Sequence, residues 1–334
     1  MLTGELEEIK ELEDALANAP STVRVEKLAE VPMGRWTFPI HGIVMGSQDR
    51  TKPTFGIFGG VHGIERIGSR VAISFIRDII SQLKWDEDLN RRLEESRLIS
   101  IPVVNPGGIA LARRGNPRSV DLMRNAPVEA DEPVTFLVGG HRISGALPWF
   151  RGKKNWGLEI ESEALVNFVK REGFEAEALL TLDVHSGFGI KDRIWYPYAK
   201  SRTPFPGTPW ADEFEGLLES NFPNHIYQFE PQSHNYLTHG DLWDYLFDLH
   251  QEVNKNFYLP LTLEMGSWMW VRKNPRQLFS YMGYFNPVLP HRRKRVLRRH
   301  QYLIELMWRA VRNHKRWLKL ERLKLDRLKL EPLK

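Results

Sequence analysis

The chain has 334 residues, 42% hydrophobic and 27% charged, which allows two small domains or one large α/β domain with extensions and excludes a disordered or collagen-like chain. It contains no cysteine, so disulfides, thiolate-bound zinc, iron–sulfur clusters and a thiol nucleophile are excluded, and any metal must sit on nitrogen and oxygen. The formal charge is +5, yet the segment after Pro290 has 16 Lys and Arg against four Asp and Glu, so that tail carries +12 and the preceding residues −7.

Leu6, Ile9, Leu12 and Leu16 recur at helical spacing among acidic residues and predict an acidic N-terminal helix within residues 1–20. This start lacks the basic and apolar regions of a secretory leader, and no run of about 18 apolar residues follows. The sequence therefore predicts a cytoplasmic protein without a membrane span. Thr22–Val25 and Pro39–Met45 read as short strands. Thr54–Phe58 is an apolar strand closed by Gly59-Gly60, followed by a helix over Glu65–Leu83. Leu98–Val104 is another buried-type strand, closed by Asn105-Pro106-Gly107-Gly108. Glu159–Glu172 predicts a helix, Ala178–Val184 a strand running into His185, and Leu259–Leu263 a strand running into Glu264. Such alternation predicts, for residues 21–290, a single three-layer α/β/α domain around a mixed, mostly parallel twisted sheet. Ligands of such sheets bind beyond the carboxyl ends of strands, where His62, His185 and Glu264 fall.

Asp131–Trp156 and Gly187–Tyr258 lack periodicity and read as long excursions over one face, rich in aromatics of which a minority should touch substrate. Pro290 reads as the end of the body, and residues 291–334 as a basic helical extension. That extension ends in an LKLER-type pentad repeat from Leu318, whose period of five fits neither helix nor strand and has no physical account.

His62 and Glu65, three apart at a strand end and helix start, can face one ion. His185, just past a buried strand, can complete a two-His, one-carboxylate site of the kind catalytic zinc uses. Glu264 at the end of an apolar strand is costly to bury unless it has a task, and a general base is one. In the stretch from Arg113 to Asn125, arginines can hold an oxyanion or a carboxylate, and an Asp can orient a ligand histidine. Each motif alone has an ordinary structural reading as a core histidine, a salt bridge or a solvated basic loop.

Together, His62-x-x-Glu65, Asn105-Pro106-x-Gly108, Arg114 and Asn116 ahead of Asp121-Leu122-Met123-Arg124-Asn125, His185 and Glu264 resemble the M14 family of zinc metallocarboxypeptidases in order and spacing, from about Thr54 to Gly266. The resemblance implies one Zn2+ per chain on His62, Glu65 and His185, and Glu264 as the base that activates the metal's water. Arg114 would hold the oxyanion, Arg124 the substrate carboxylate, and Asp121 would orient His62. Tyr236, framed by Gly240 and Asp244, matches the family's mobile tyrosine, and Trp243 falls where the family lines its specificity pocket. Met123 stands where the family usually has Asn and cannot donate a hydrogen bond. Gly115-Asn116-Pro117 and the strand into Glu264 also resemble the related succinylglutamate desuccinylase and aspartoacylase branch, so the substrate is read as a peptide or an acyl-amino acid. A reading of another class is a non-enzymatic basic binding module built on His291-Arg292-Arg293-Lys294-Arg295. The acidic body disfavours nucleic acid, and the acidic and basic helices offer a pairing within the chain or between subunits of a homo-oligomer.

Overall fold

A computed structural model describes residues 5–318. It begins with α1 (Glu7–Leu16) and the hairpin β1 (Val23–Met33) and β2 (Trp36–Gly46). Next come β3 (Thr54–Gly59), α2 (Arg66–Gln82), α3 (Glu87–Glu95), β4 (Arg97–Ile101), α4 (Pro106–Leu111), α5 (Ile160–Gly173) and β5 (Ala178–Ser186). The chain continues through β6 (Arg193–Tyr196), α6 (Thr208–Asn221), β7 (Gln228–Pro231), α7 (Leu242–Val253), β8 (Phe257–Met265), α8 (Trp268–Lys273), α9 (Pro290–Arg299) and α10 (Gln301–Arg312), and its described part closes with the single turn α11 (His314–Trp317).

The eight strands form one sheet in the order β1-β2-β4-β3-β5-β8-β6-β7. The four central neighbours, β4, β3, β5 and β8, run parallel, while β2 and β6 join them antiparallel. Every residue of those four central strands is buried, which is why they read as mostly apolar runs rather than alternating ones. Helices α2 and α10 pack on β3 and β5, α5 packs on β1, β2 and β4, and α7 on β8, giving the expected α/β architecture. Among the described residues no helix is long and apolar enough to cross a membrane.

The excursion Gly187–Tyr258 is more ordered than its sequence suggests, holding β6, α6, β7 and α7 and widening the sheet by two strands. Pro290 opens α9 instead of ending the body, the first helical turn being where proline fits best. Past it, Leu303, Ile304, Leu306, Met307 and Val311 are buried in the same core as the sheet, and the Trp308 ring meets Phe75 of α2 edge-on. The boundary expected at 290 is therefore not a boundary in packing. Arg292 donates to the carbonyls of Trp270 and Lys273, and Arg299 to Asp192, so part of the basic face is engaged within the body. The acidic helix also has its partner there. Glu8 of α1 is fully buried and accepts from Arg66 Nε and Nη2 of α2, both at 2.7 Å, with Arg70 at 3.1 Å. Apart from Leu318, the pentad repeat lies outside the described residues.

Candidate active site

The parallel register brings the site together. His185 and Glu264 are paired across β5 and β8, and Gly59, at the end of β3, is paired with Val184. From Gly59 the chain loops through His62 to Glu65 at the mouth of α2. That loop lies so close to α4 that a Cβ on Gly63 would sit 2.1 Å from the carbonyl carbon of Gly108, so only glycine fits between the two candidate ligands. Asn105 holds the other side of this approach by capping α4, its Oδ1 accepting from Gly108 N at 2.7 Å.

His62 Nδ1 lies 2.9 Å from Glu65 Oε1 and 3.1 Å from His185 Nδ1, which is itself 3.1 Å from Glu65 Oε2. The outer nitrogens face carboxylates: His62 Nε2 meets Asp121 Oδ1 at 3.1 Å and His185 Nε2 meets Asp183 Oδ2 at 2.7 Å. An ionised carboxylate only accepts, so each neutral ring carries its proton on Nε2 and turns the Nδ1 lone pair toward Glu65. Lone pairs then converge on one point from all three side chains, an arrangement that a cation satisfies. The separations are close to the roughly 3.3 Å between two ligands of a tetrahedral zinc with bonds of about 2.0–2.1 Å. These three residues form the one group that could hold a metal among the described residues. Burial works against a charged His185, yet Asp183 and Glu65 outweigh it and raise its pKa well above the ordinary value. A proton and a metal ion thus compete for the same place.

Asp121 joins this cluster to two cations. Its Oδ2 accepts from Arg114 Nε at 2.9 Å and Arg124 Nη1 at 3.0 Å, and Arg114 Nη1 also reaches Glu65 Oε1 at 3.2 Å. Burial opposes its ionisation, but the two arginines hold its pKa well below the usual carboxylate range. Glu264 accepts from the Phe188 N–H at 3.0 Å; burial first, and the Glu65 charge second, push its pKa up to about 8. Tyr236 packs on Phe188 and Trp195, with the Arg124 guanidinium 5.9 Å from its ring centre, and burial raises its pKa above the ordinary value.

A cavity of about 490 Å³ is lined by His62, Glu65, Arg114, Arg124, His185, Tyr236 and Glu264, and by Met123. Of the aromatics in the two excursions singled out from sequence, Trp149, Phe188, Trp195 and Tyr236 line it. Trp243 does not, which corrects its expected place in the specificity pocket. Its buried indole turns under the sheet, ring against Phe58, and Nε1 donates to Asp183 Oδ2 at 2.9 Å. Sequence reasoning also passed over Asp183 itself, although Asp183 and His185, two apart on one strand, share a face.

Trp243 and Asp183 thus hold the second histidine as Asp121 holds the first. Asp183→Ala should lower zinc affinity by about 10–100-fold, with Trp243→Phe in the same direction, measured by competition with a chromophoric chelator. Unchanged affinity in both variants would remove the orienting role.

A family model described as zinc carboxypeptidase matches residues 9–268. Carboxypeptidase SOL1 of Arabidopsis thaliana is 32% identical over 222 residues, 66% of this chain and 41% of that protein, so the chain spans about two fifths of the length of this curated relative. Among solved structures, carboxypeptidase A from Helicoverpa armigera superposes with a TM-score of 0.65 at 18% identity, over 90% of this chain and 71% of the other. Bovine thrombin-activatable fibrinolysis inhibitor, solved with a tick carboxypeptidase inhibitor, gives 0.64 at 16%, over 91% and 95%. At such identities the superpositions speak for the fold, while the family match spans most of the chain and the metal-type trio stands inside it. The chain belongs to the M14 family of zinc carboxypeptidases.

Proposed function

We propose that this protein is a zinc-dependent carboxypeptidase that hydrolyses a peptide or amide bond next to a free carboxylate. The observation that carries this reading is that a single cavity is lined by the converging trio, a buried carboxylate of raised pKa and two arginines. Zinc held by His62, Glu65 and His185 supplies Lewis acidity and acidifies a water molecule. Glu264 takes the proton of the attacking water and returns it to the leaving amine, a transfer suited to a group that titrates near neutrality. Arg114, whose pKa Asp121 and Glu65 raise despite burial, stays charged and stabilises the oxyanion. Arg124 receives the substrate carboxylate through its guanidinium fork. Tyr236 keeps its phenolic proton and through it donates a hydrogen bond to the bound substrate. Met123 lines the cavity without a donor, so the carboxylate grip rests on Arg124 and Tyr236.

Asn116, which with its neighbours suggested a deacylase, is spent on its own loop and the start of α5: Nδ2 donates to Glu159 and Glu161, and Oδ1 accepts from the N–H groups of Arg118 and Val120. The test compares N-blocked dipeptides with N-acetyl and N-succinyl amino acids. Release of the C-terminal residue from the dipeptides, lost on chelation and restored by zinc, is expected. Hydrolysis of the acyl-amino acids alone would transfer the assignment to the deacylase, and no hydrolysis of either by zinc-loaded protein would overturn both.

A further inference from the structure

Asp241 is 1% exposed and stands at the N-terminus of α7, where its Oδ1 accepts from Trp243 N at 2.9 Å and Asp244 N at 3.0 Å. Capping accounts for one oxygen only. The other, Oδ2, is buried and has no hydrogen-bond partner, and among the described residues that line the main cavity it is the one buried side-chain polar atom in that condition. An ionised carboxylate oxygen left so is costly unless something arrives to pair with it.

Its position says where that something comes from. Asp241, Trp195, Gln232 and Thr262 line the cavity and also a void of about 10 Å³ behind it that Trp243 and Asp244 bound, so these four make the closed end. The indole of Trp195 provides an apolar wall for methylenes, while Gln232, Thr262 and Asp241 provide polar atoms beyond it. The charge balance points the same way. In the free protein the positive charge of Arg124 offsets that of Asp241, yet burial still pushes the Asp241 pKa up to about 6. A substrate carboxylate seated on Arg124 takes up that offsetting charge. A neutral side chain at the closed end then leaves Asp241 uncompensated, an acidic one adds a second negative charge, and a cationic one restores balance.

Resting on the carboxypeptidase reading, we propose that Asp241 makes the closed end of the cavity a receptor for the basic side chain of a C-terminal lysine or arginine. The long aliphatic stem of either residue lies along Trp195, and its charged head meets Oδ2.

The experiment measures kcat/KM of the zinc-loaded protein on N-blocked dipeptides ending in Lys, Arg, Leu and Glu, for the wild type and for Asp241→Asn. The carboxamide keeps a capping oxygen and removes the charge. The wild type is expected to prefer Lys and Arg over Leu by at least tenfold, with Glu last, and Asp241→Asn should shrink the basic-over-leucine ratio at least tenfold, chiefly through KM. A wild type without basic preference, or a variant that retains it, overturns the proposal while leaving the carboxypeptidase reading in place. If the variant does not fold, the wild-type order alone decides. Should no dipeptide be cleaved, the carboxypeptidase reading fails, and calorimetry with free L-arginine, L-lysine and L-leucine still reads the pocket. Tighter binding of the two basic amino acids, lost in Asp241→Asn, supports the receptor, and equal binding of all three rejects it.

Discussion

Replacing Glu264 by Gln is expected to lower kcat/KM by about 10²–10⁴ while zinc stays at one per chain. The carboxamide has the same shape and can still accept from the Phe188 N–H, so the cavity wall is preserved. What is lost is a carboxylate able to take and return a proton, and no other side chain on the cavity wall both titrates near neutrality and stands outside the metal trio in register with His185. Steady-state kinetics beside metal analysis of the same sample separates the two quantities. Full turnover in the variant would remove Glu264 from proton transfer, and loss of zinc would assign it to metal binding instead.

A second large effect is expected far from the cavity. Glu172, at the end of α5, is buried and faces four arginines: Arg97 Nη2 donates at 2.5 Å, Arg24 Nη2 at 2.6 Å and Arg171 Nε at 2.9 Å, with Arg50 at 3.8 Å. Arg97 is itself buried at the start of β4, so removal of the carboxylate strands its charge inside the protein. Glu172→Gln should therefore cost about 3–5 kcal/mol. Equilibrium denaturation reads this as a lower midpoint at unchanged slope. An unchanged midpoint would mean that water reaches Arg97 and takes over the role of the carboxylate.

These two residues mark how far the sequence could be read. Glu264 was legible because it falls near the end of a mostly apolar strand buried on both faces. The same holds for His185, and order along the chain then joined them to His62 and Glu65. Glu172 was not legible as a hub, because Arg24 and Arg97 lie far from it in sequence and nothing periodic connects them. Between Gly187 and Tyr258 the strands are four residues long and only partly buried, and α6 and α7 hide their apolar stripes among polar and aromatic neighbours. Leu303, Ile304, Met307 and Val311 share a helical stripe in the basic tail, but a stripe does not say what it packs on. Trp243 had the right place in the order and the wrong direction, since side-chain orientation at a helix start follows from packing against Phe58 and Asp183. Nothing in the sequence marks Asp241, and only burial of its second oxygen sets it apart from other capping aspartates.

The seating of α10 on β3 and β5 has a consequence for how the protein is made. The two strands that carry the histidines toward the site are covered on that face by a helix ending at Arg312, about 250 residues after β3. Helix α2 covers part of that face as soon as it is made, and at synthesis rates of about 5–20 residues per second the rest waits roughly 10–50 s for α10. A ribosome that stops between β8 and α10 leaves part of an apolar sheet open although His62, Glu65, His185 and Glu264 are already made. Helix α10 thus decides whether the nascent chain closes its core or offers it to other chains.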